Sequence, residues 1–285
     1  MDVLPGGYFD PAGGLHREFE LGTLTGREEE LLARKTSARP AALVTEVLSR
    51  CLRRLGTFAP VPPEVTRQLL VADRQYLMLR LRQATFGDLV RANLCCPWPE
   101  CGERVAVDFT VPDVPVEAVA EPAPSYEATL SDGTAITFRL PTGADQEELS
   151  ACLAVNEAEA LTALLTRCLV RLGDQGTPDE DRVAALPAAI RAEIEDRMRA
   201  VAPKVEQTLE AACTECGRTV AASFDIQQFF FGELRTDARA LYQDVHYLAF
   251  HYHWSENEIM AMTRGRRQTY IDVLADEIEV LNGGA

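Results

Sequence analysis

Apolar positions follow two alternating periods along this chain, and the same succession is written twice. The stretch YFDPAGGLHREFEL (8–21) alternates about Pro11-Ala12-Gly13-Gly14, and YEATLSDGTAITFRL (126–140) alternates about Asp132-Gly133. Both predict a β-hairpin. A capping box follows each, Thr25…Glu28 and Thr142…Asp145, and predicts a helix start. The period then lengthens to three and four residues. VTEVLSRCLRRLG (44–56) and LTALLTRCLVRLG (161–173) predict amphipathic helices ending at Gly56 and Gly173. A second helical stretch leads, in each half, to a pair of cysteines.

The two halves keep register. Thr25, Gly26 and Leu32 match Thr142, Gly143 and Leu149, each 117 positions on, and Cys96 matches Cys213 at the same offset. Beyond the cysteines the offset is 115, because one cysteine loop is two residues longer; there CGERVAVDFTV (101–111) overlies CGRTVAASFDI (216–226). This self-similarity predicts an α+β protein of two tandem duplicated units, each a β-hairpin, helices and a zinc-knuckle hairpin. The expected division is 1–112, a Pro-rich linker at 113–125, a second repeat at 126–226 and a helical region at 227–285. In that last region Leu234–Tyr252 reads as one amphipathic helix. Ser255…Glu258 reads as a capping box, with Trp254 and Ile259 as its hydrophobic staple. A final helix is expected after Arg264-Gly265-Arg266-Arg267, and Phe229-Phe230-Phe231 reads as the start of a core-packing helix.

Candidate chemistry resides in the cysteines. Cys51, Cys152 and Cys168 sit in helical apolar patterns and read as small hydrophobes. Cys96-Pro-Trp-Pro-Glu-Cys101-Gly102 and Cys213-Thr-Glu-Cys216-Gly217 are two short Cys-x(2–4)-Cys loops. Such loops supply tetrahedral zinc with thiolates in pairs. The repeat register selects Cys96 over Cys95, since Gly56 to Cys96 and Gly173 to Cys213 are both 40 residues. The expected site is one structural Zn2+ held by Cys96, Cys101, Cys213 and Cys216; plain buried thiols or redox pairs are the weaker readings. Four thiolates close the coordination sphere, which argues against a catalytic metal.

Charge narrows the partners. Lys and Arg number 28 against 44 Asp and Glu, a net charge of −16, so phosphate is repelled and general nucleic-acid binding is disfavoured. No signal-like segment opens the chain, and no apolar run approaches the roughly 20 residues that span a bilayer. The expectation is a cytoplasmic protein without a membrane partner. No phosphate-binding, dinucleotide, zinc-hydrolase or serine-hydrolase motif is present, so neither an enzyme nor a small-molecule substrate is expected. His246, His251 and His253 cluster in DVHYLAFHYHWSE and read as a packed helix end with polar tips. Glu28-Glu29-Glu30 suits the helix dipole. A helix-turn-helix over Arg264–Arg267 is the competing regulator reading, opposed by the acidic VLADEIEVLN.

LVADRQYLMLRLRQATFGDLV (70–90), running into CPWPECGERVAVDFTV (96–111), resembles the T-even phage family of baseplate hub assembly chaperones and their relatives in contractile injection systems. FELGTLTGREEELLA (19–33) and HYHWSENEIMAMTRGRRQTYIDVLADEIE (251–279) have the same look. The resemblance implies a non-enzymatic assembly factor whose partners are baseplate or hub/spike proteins of a contractile tail. A structural component retained in the particle and a zinc-containing nucleic-acid-binding regulator are the alternatives. The family transfers no binding residues.

Overall fold

The computed structural model describes residues 2–34, 40–153, 155–205, 208–223, 225–236 and 238–283. It is an α+β protein of several small antiparallel sheets and many helices. The first half runs β1 (Asp2–Phe9), β2 (Leu15–Leu21), α1 (Gly26–Arg34), α2 (Pro40–Cys51), β3 (Leu52–Leu55), α3 (Pro63–Arg67), α4 (Val71–Phe86), β4 (Leu89–Cys95) and β5 (Arg104–Thr110). After a short strand β6 (Val116–Glu117) come β7 (Tyr126–Thr129), β8 (Ala135–Phe138), α5 (Gly143–Leu153), α6 (Glu157–Cys168) and β9 (Leu169–Leu172). Then follow α7 (Glu180–Ala184), α8 (Ala188–Val201), β10 (Lys204–Val205), β11 (Thr208–Ala212) and β12 (Thr219–Ser223). The tail holds α9 (Ile226–Thr236), α10 (Ala238–Tyr252), α11 (Glu256–Met260) and α12 (Arg264–Gly283).

Two sequence expectations shift. The amphipathic helices stop at Cys51 and Cys168, not at Gly56 and Gly173; LRRL and LVRL are strands. Their outer leucines point inward, and each joins the preceding hairpin as a third strand, in the orders β1-β2-β3 and β7-β8-β9. The last helix begins at Arg264 rather than after Arg267. The stretch expected as one helix, Leu234–Tyr252, falls on α9 and α10, with Asp237 outside the described residues.

The chain forms two compact units. One comprises residues 1–20, 37–77 and 115–206. The sheet β7-β8-β9 covers α6 and α8 here through Ile136, Phe138, Leu165, Cys168, Ile194 and Met198. Each such buried aliphatic or aromatic side chain contributes about 1.5–3 kcal/mol. In the same unit β6 pairs with β10, and the register of β1 against β2 shifts between Val3 and Tyr8. At this irregularity the amides of Gly6 and Gly7 donate to the two oxygens of buried Asp73, at 2.7 and 2.8 Å. Burial drives the Asp73 carboxyl up to about 6 against the opposing pull of those amides. The two predicted capping boxes are present: the Thr142 amide and hydroxyl donate to Asp145 (2.8 and 3.0 Å), and the Thr25 amide donates to Glu28 (3.0 Å).

The second unit comprises residues 21–36, 78–114 and 207–285. It contains α1, the hairpins β4–β5 and β11–β12, and the tail. Phe230 and Phe231 are buried, Phe230 edge-on to Phe86 at 5.9 Å, so the phenylalanine run packs a core as expected. Ser255 and Glu258 form the expected capping box. Ile259 is buried, while Trp254 stacks on Tyr252 (4.6 Å) and meets Tyr270 edge-on (4.8 Å).

Candidate metal centre

Two antiparallel hairpins deliver the cysteines. In β4–β5 the pairing runs from Leu89↔Thr110 to Cys95↔Arg104. Val90 and Ala92 face inward and Leu94 is partly buried, so strand alternation places Cys96 on the inner side and Cys95 in solvent. In β11–β12 the pairing ends at Ala212↔Thr219, with Cys213 next in line. The first cysteine of each pair is tied across its hairpin: the Cys96 amide donates to Glu103 (2.8 Å) and the Cys213 amide to Arg218 (2.9 Å). Gly102 and Gly217 turn the chain at φ of 64° and 70°, a region open to glycine without steric cost.

The four sulfurs converge. Cys96 Sγ lies 3.7 Å from Cys216 Sγ, Cys101 Sγ lies 3.7 Å from Cys213 Sγ, and all four fall within 4.8 Å of one another. Tetrahedral Zn–S bonds of about 2.3 Å require sulfur–sulfur edges of about 3.8 Å, so the donor set and its spacing fit such an ion. Cys96 and Cys213 are buried against Val105 and Val220; Cys101 and Cys216 are partly exposed. The sequence choice of Cys96 over Cys95 agrees with this geometry, since Cys95 is outside the cluster.

Crowding separates the thiols electrostatically. Amides of Cys216 and Glu215 outweigh burial at Cys213 and bring it down to about 7. At Cys101 the Glu103 amide favours the thiolate, but burial and the three neighbouring sulfurs prevail and push it up to about 12. Cys96 is likewise raised: burial and Cys216 overcome the Trp98 amide. If all four were ionised, their mutual repulsion would be relieved by a cation among them.

A brace beside the cluster escaped the sequence reading. The Arg218 guanidinium sits 4.6 Å from the centre of the Trp98 ring and 3.4 Å from Glu100, joining the two cysteine loops. The signal was present as Trp98 and Glu100 inside one loop and a basic residue just after the other. The histidines do not join a metal-binding group among the described residues. His246 and His251 are exposed on α10 against Phe250 and Tyr247, and His253 follows with φ of 57°, polar tips on a helix end packed through Leu248 and the Tyr252–Trp254 stack. Cys51 and Cys168 are buried as expected, whereas Cys152 is partly exposed.

The fold and this cluster define an α+β protein with four cysteines of two hairpins gathered where a metal could be held, without a helix among the described residues long and apolar enough to cross a membrane. The family model described as T4 bacteriophage base plate protein matches residues 14–231, and the chain belongs to that family. The matched segment takes in both hairpins and all four cysteines. No curated protein and no solved structure matches the chain. Membership supports a role in the phage baseplate.

Proposed function

We propose that this chain is a non-enzymatic assembly factor for the baseplate or hub of a contractile phage tail or contractile injection system, with one structural zinc. The carrying observation is the cluster of four thiols in a baseplate family protein: with every tetrahedral position taken by protein sulfur, a bound metal would have none left for substrate. On this reading the zinc joins the equivalent hairpins of two copies of a duplicated unit. The matching order of β1 to β5 and of β7, β8, β9, β11 and β12, with α1–α4 answering α5–α8 and only β10 lacking a counterpart, supports the duplication. The acidic chain and the exposed Phe250, Val280 and Leu281 in the tail, beyond the matched segment, suit a protein that covers apolar surface on a partner.

Quantitative mass spectrometry of purified contractile particles beside the producing lysate tests the assembly role. Abundance in the lysate with absence from particles is the expected result. A fixed ratio to baseplate proteins in the particle would instead make the chain a structural component.

A further inference from the structure

One local motif occurs three times. The pairs α3–α4, α7–α8 and α11–α12 each consist of a five-residue helix, a three-residue connection and a long helix. The fourth residue of each short helix is fully buried: Thr66, Val183 and Ile259. The fourth residue of each long helix is arginine: Arg74, Arg191 and Arg267. Each arginine amide donates to the last connecting residue, Leu70, Pro187 or Thr263, at 3.0–3.1 Å.

Two of these motifs hold a guest, and the guests are alike. At α3–α4 the Gly143 amide donates to the Leu69 carbonyl (3.0 Å), the Val71 amide donates to Pro141 (3.1 Å), and Thr142 bridges Leu70. At α11–α12 the Gly26 amide donates to Met262 (3.1 Å) and Thr25 bridges Thr263. Both guests begin a helix with Thr-Gly-x-(Asp/Glu)-(Glu/Gln), as Thr25–Glu29 and Thr142–Gln146. The glycine lies where a side chain would crowd the socket arginine. Acid on the guest then meets base on the host: Glu29 with Arg267 at 3.0 Å, and Glu147 with Arg67 at 2.8 Å.

The third motif has the same backbone frame and arginine, with Ala184 where α3 has Arg67, and no guest among the described residues. Arg191 donates to the Thr162 hydroxyl at 3.2 Å, as Arg74 does to the equivalent Thr45 at 2.7 Å. Yet Arg74 and Arg267 are buried under their guests, whereas Arg191 is partly exposed. Among the described residues no donor meets the Leu186 carbonyl and no acceptor meets the Ala188 amide, the counterparts of Leu69 and Val71. Pro187 in the middle is no obstacle, because Leu70 at that place makes neither guest bond in the filled socket.

We propose that the α7–α8 socket docks the start of an acidic Thr-Gly-led helix from a second protein. Both such helix starts in this chain are already seated in its own sockets, so the guest comes from a partner other than a plain second copy. Specificity has a steric part, glycine beside Arg191, and an electrostatic part, an acid within reach of its guanidinium. The proposal stands apart from the baseplate reading and requires only the socket.

The full-length protein can be titrated with a labelled peptide copying residues 138–153, and with the same peptide carrying Gly143→Val. Ala188→Pro removes the socket amide while leaving a residue that the first helical position tolerates. Arg191→Ala removes the side chain that fits against glycine, and circular dichroism checks the fold of both variants. Binding of the native peptide is expected, weakened about tenfold by either variant, with the valine peptide excluded. Equal binding of the two peptides, unchanged binding to Ala188→Pro, or absence of binding overturns the proposal. So does a dimer of the unmodified protein that Ala188→Pro disperses, since the guest would then be an exchanged second copy.

Discussion

The guanidinium of Arg74 fills the space in which a side chain at Gly143 would stand. Arg74 is fully buried; its Nη atoms donate to Thr45, the Thr66 carbonyl and the Ala41 carbonyl, and its Nε has no partner among the described residues. A buried arginine held this way cannot withdraw to make room. Gly143→Ala is therefore expected to destabilise the protein by about 1–3 kcal/mol, although glycine to alanine in an open helix stabilises by about 0.5–1 kcal/mol. Gly232→Ala, facing open space in α9, supplies that contrast. Urea denaturation of the two variants should move the midpoint in opposite directions.

Glu29 and Arg267 form a buried ion pair, both Glu29 oxygens 3.0 Å from Arg267 Nη2, with Asp244 3.6 Å from Arg267 Nε. Their desolvation has already been incurred, and removing one partner leaves the other to a more distant one, Glu29 to Arg264 at 3.4 Å or Arg267 to Asp244. Glu29→Gln or Arg267→Met alone should cost about 1–3 kcal/mol. The double variant should cost less than the two singles combined, because neither charge is then left unpaired at that bond. A double-mutant cycle by chemical denaturation reads this directly; strict additivity would show the pair to be uncoupled.

Asp73 and Asp145 give the pH dependence opposite signs. Asp145 accepts from Arg139 at 2.7 and 2.9 Å and from Arg167 at 2.8 Å, and despite its burial these partners hold its carboxyl well below the ordinary range. Its contribution is present above the unfolded value near 4 and is lost as pH falls. Asp73, raised from 3.8 to about 6 by burial, binds its proton more tightly in the folded state. Stability therefore falls as pH rises from about 4 to about 6, by about 3 kcal/mol for this group. Asp73→Asn should remove that fall while leaving the acid-side loss, as followed by denaturation at a series of pH values.

What could be read from the sequence was local. The hairpins, the capping boxes and the cysteine pairs are spelled within a few residues, and the structure has them where the residues do. The strands after Cys51 and Cys168 were not legible, because Leu48, Cys51, Leu52 and Leu55 satisfy a helical period and a short buried strand equally well. The sockets were hidden for a different reason. Arg267 and Glu29 are 238 positions apart, and nothing in composition reveals that a given arginine is buried. The resemblance of α11–α12 to α3–α4 also lies in backbone pattern and one arginine, too little for a sequence register to carry.

The cysteine cluster makes the last prediction. A metal shared by two hairpins is an all-or-none ligand set, since three thiolates hold zinc far less firmly than four. The purified protein should contain one zinc per chain by elemental analysis. Cys96→Ser and Cys213→Ser, one from each hairpin, should each abolish it and lower Tm by roughly 5–10 °C. The double variant should melt no lower than either single, because the first substitution already releases the ion. Cys95→Ser, exposed and outside the cluster, should keep both metal and Tm. A strong chelator should reproduce the single variants in the unmodified protein and leave their own melting unchanged. Retention of zinc by Cys213→Ser would show that the first hairpin binds the ion without the second, and the clip between them would have to be abandoned.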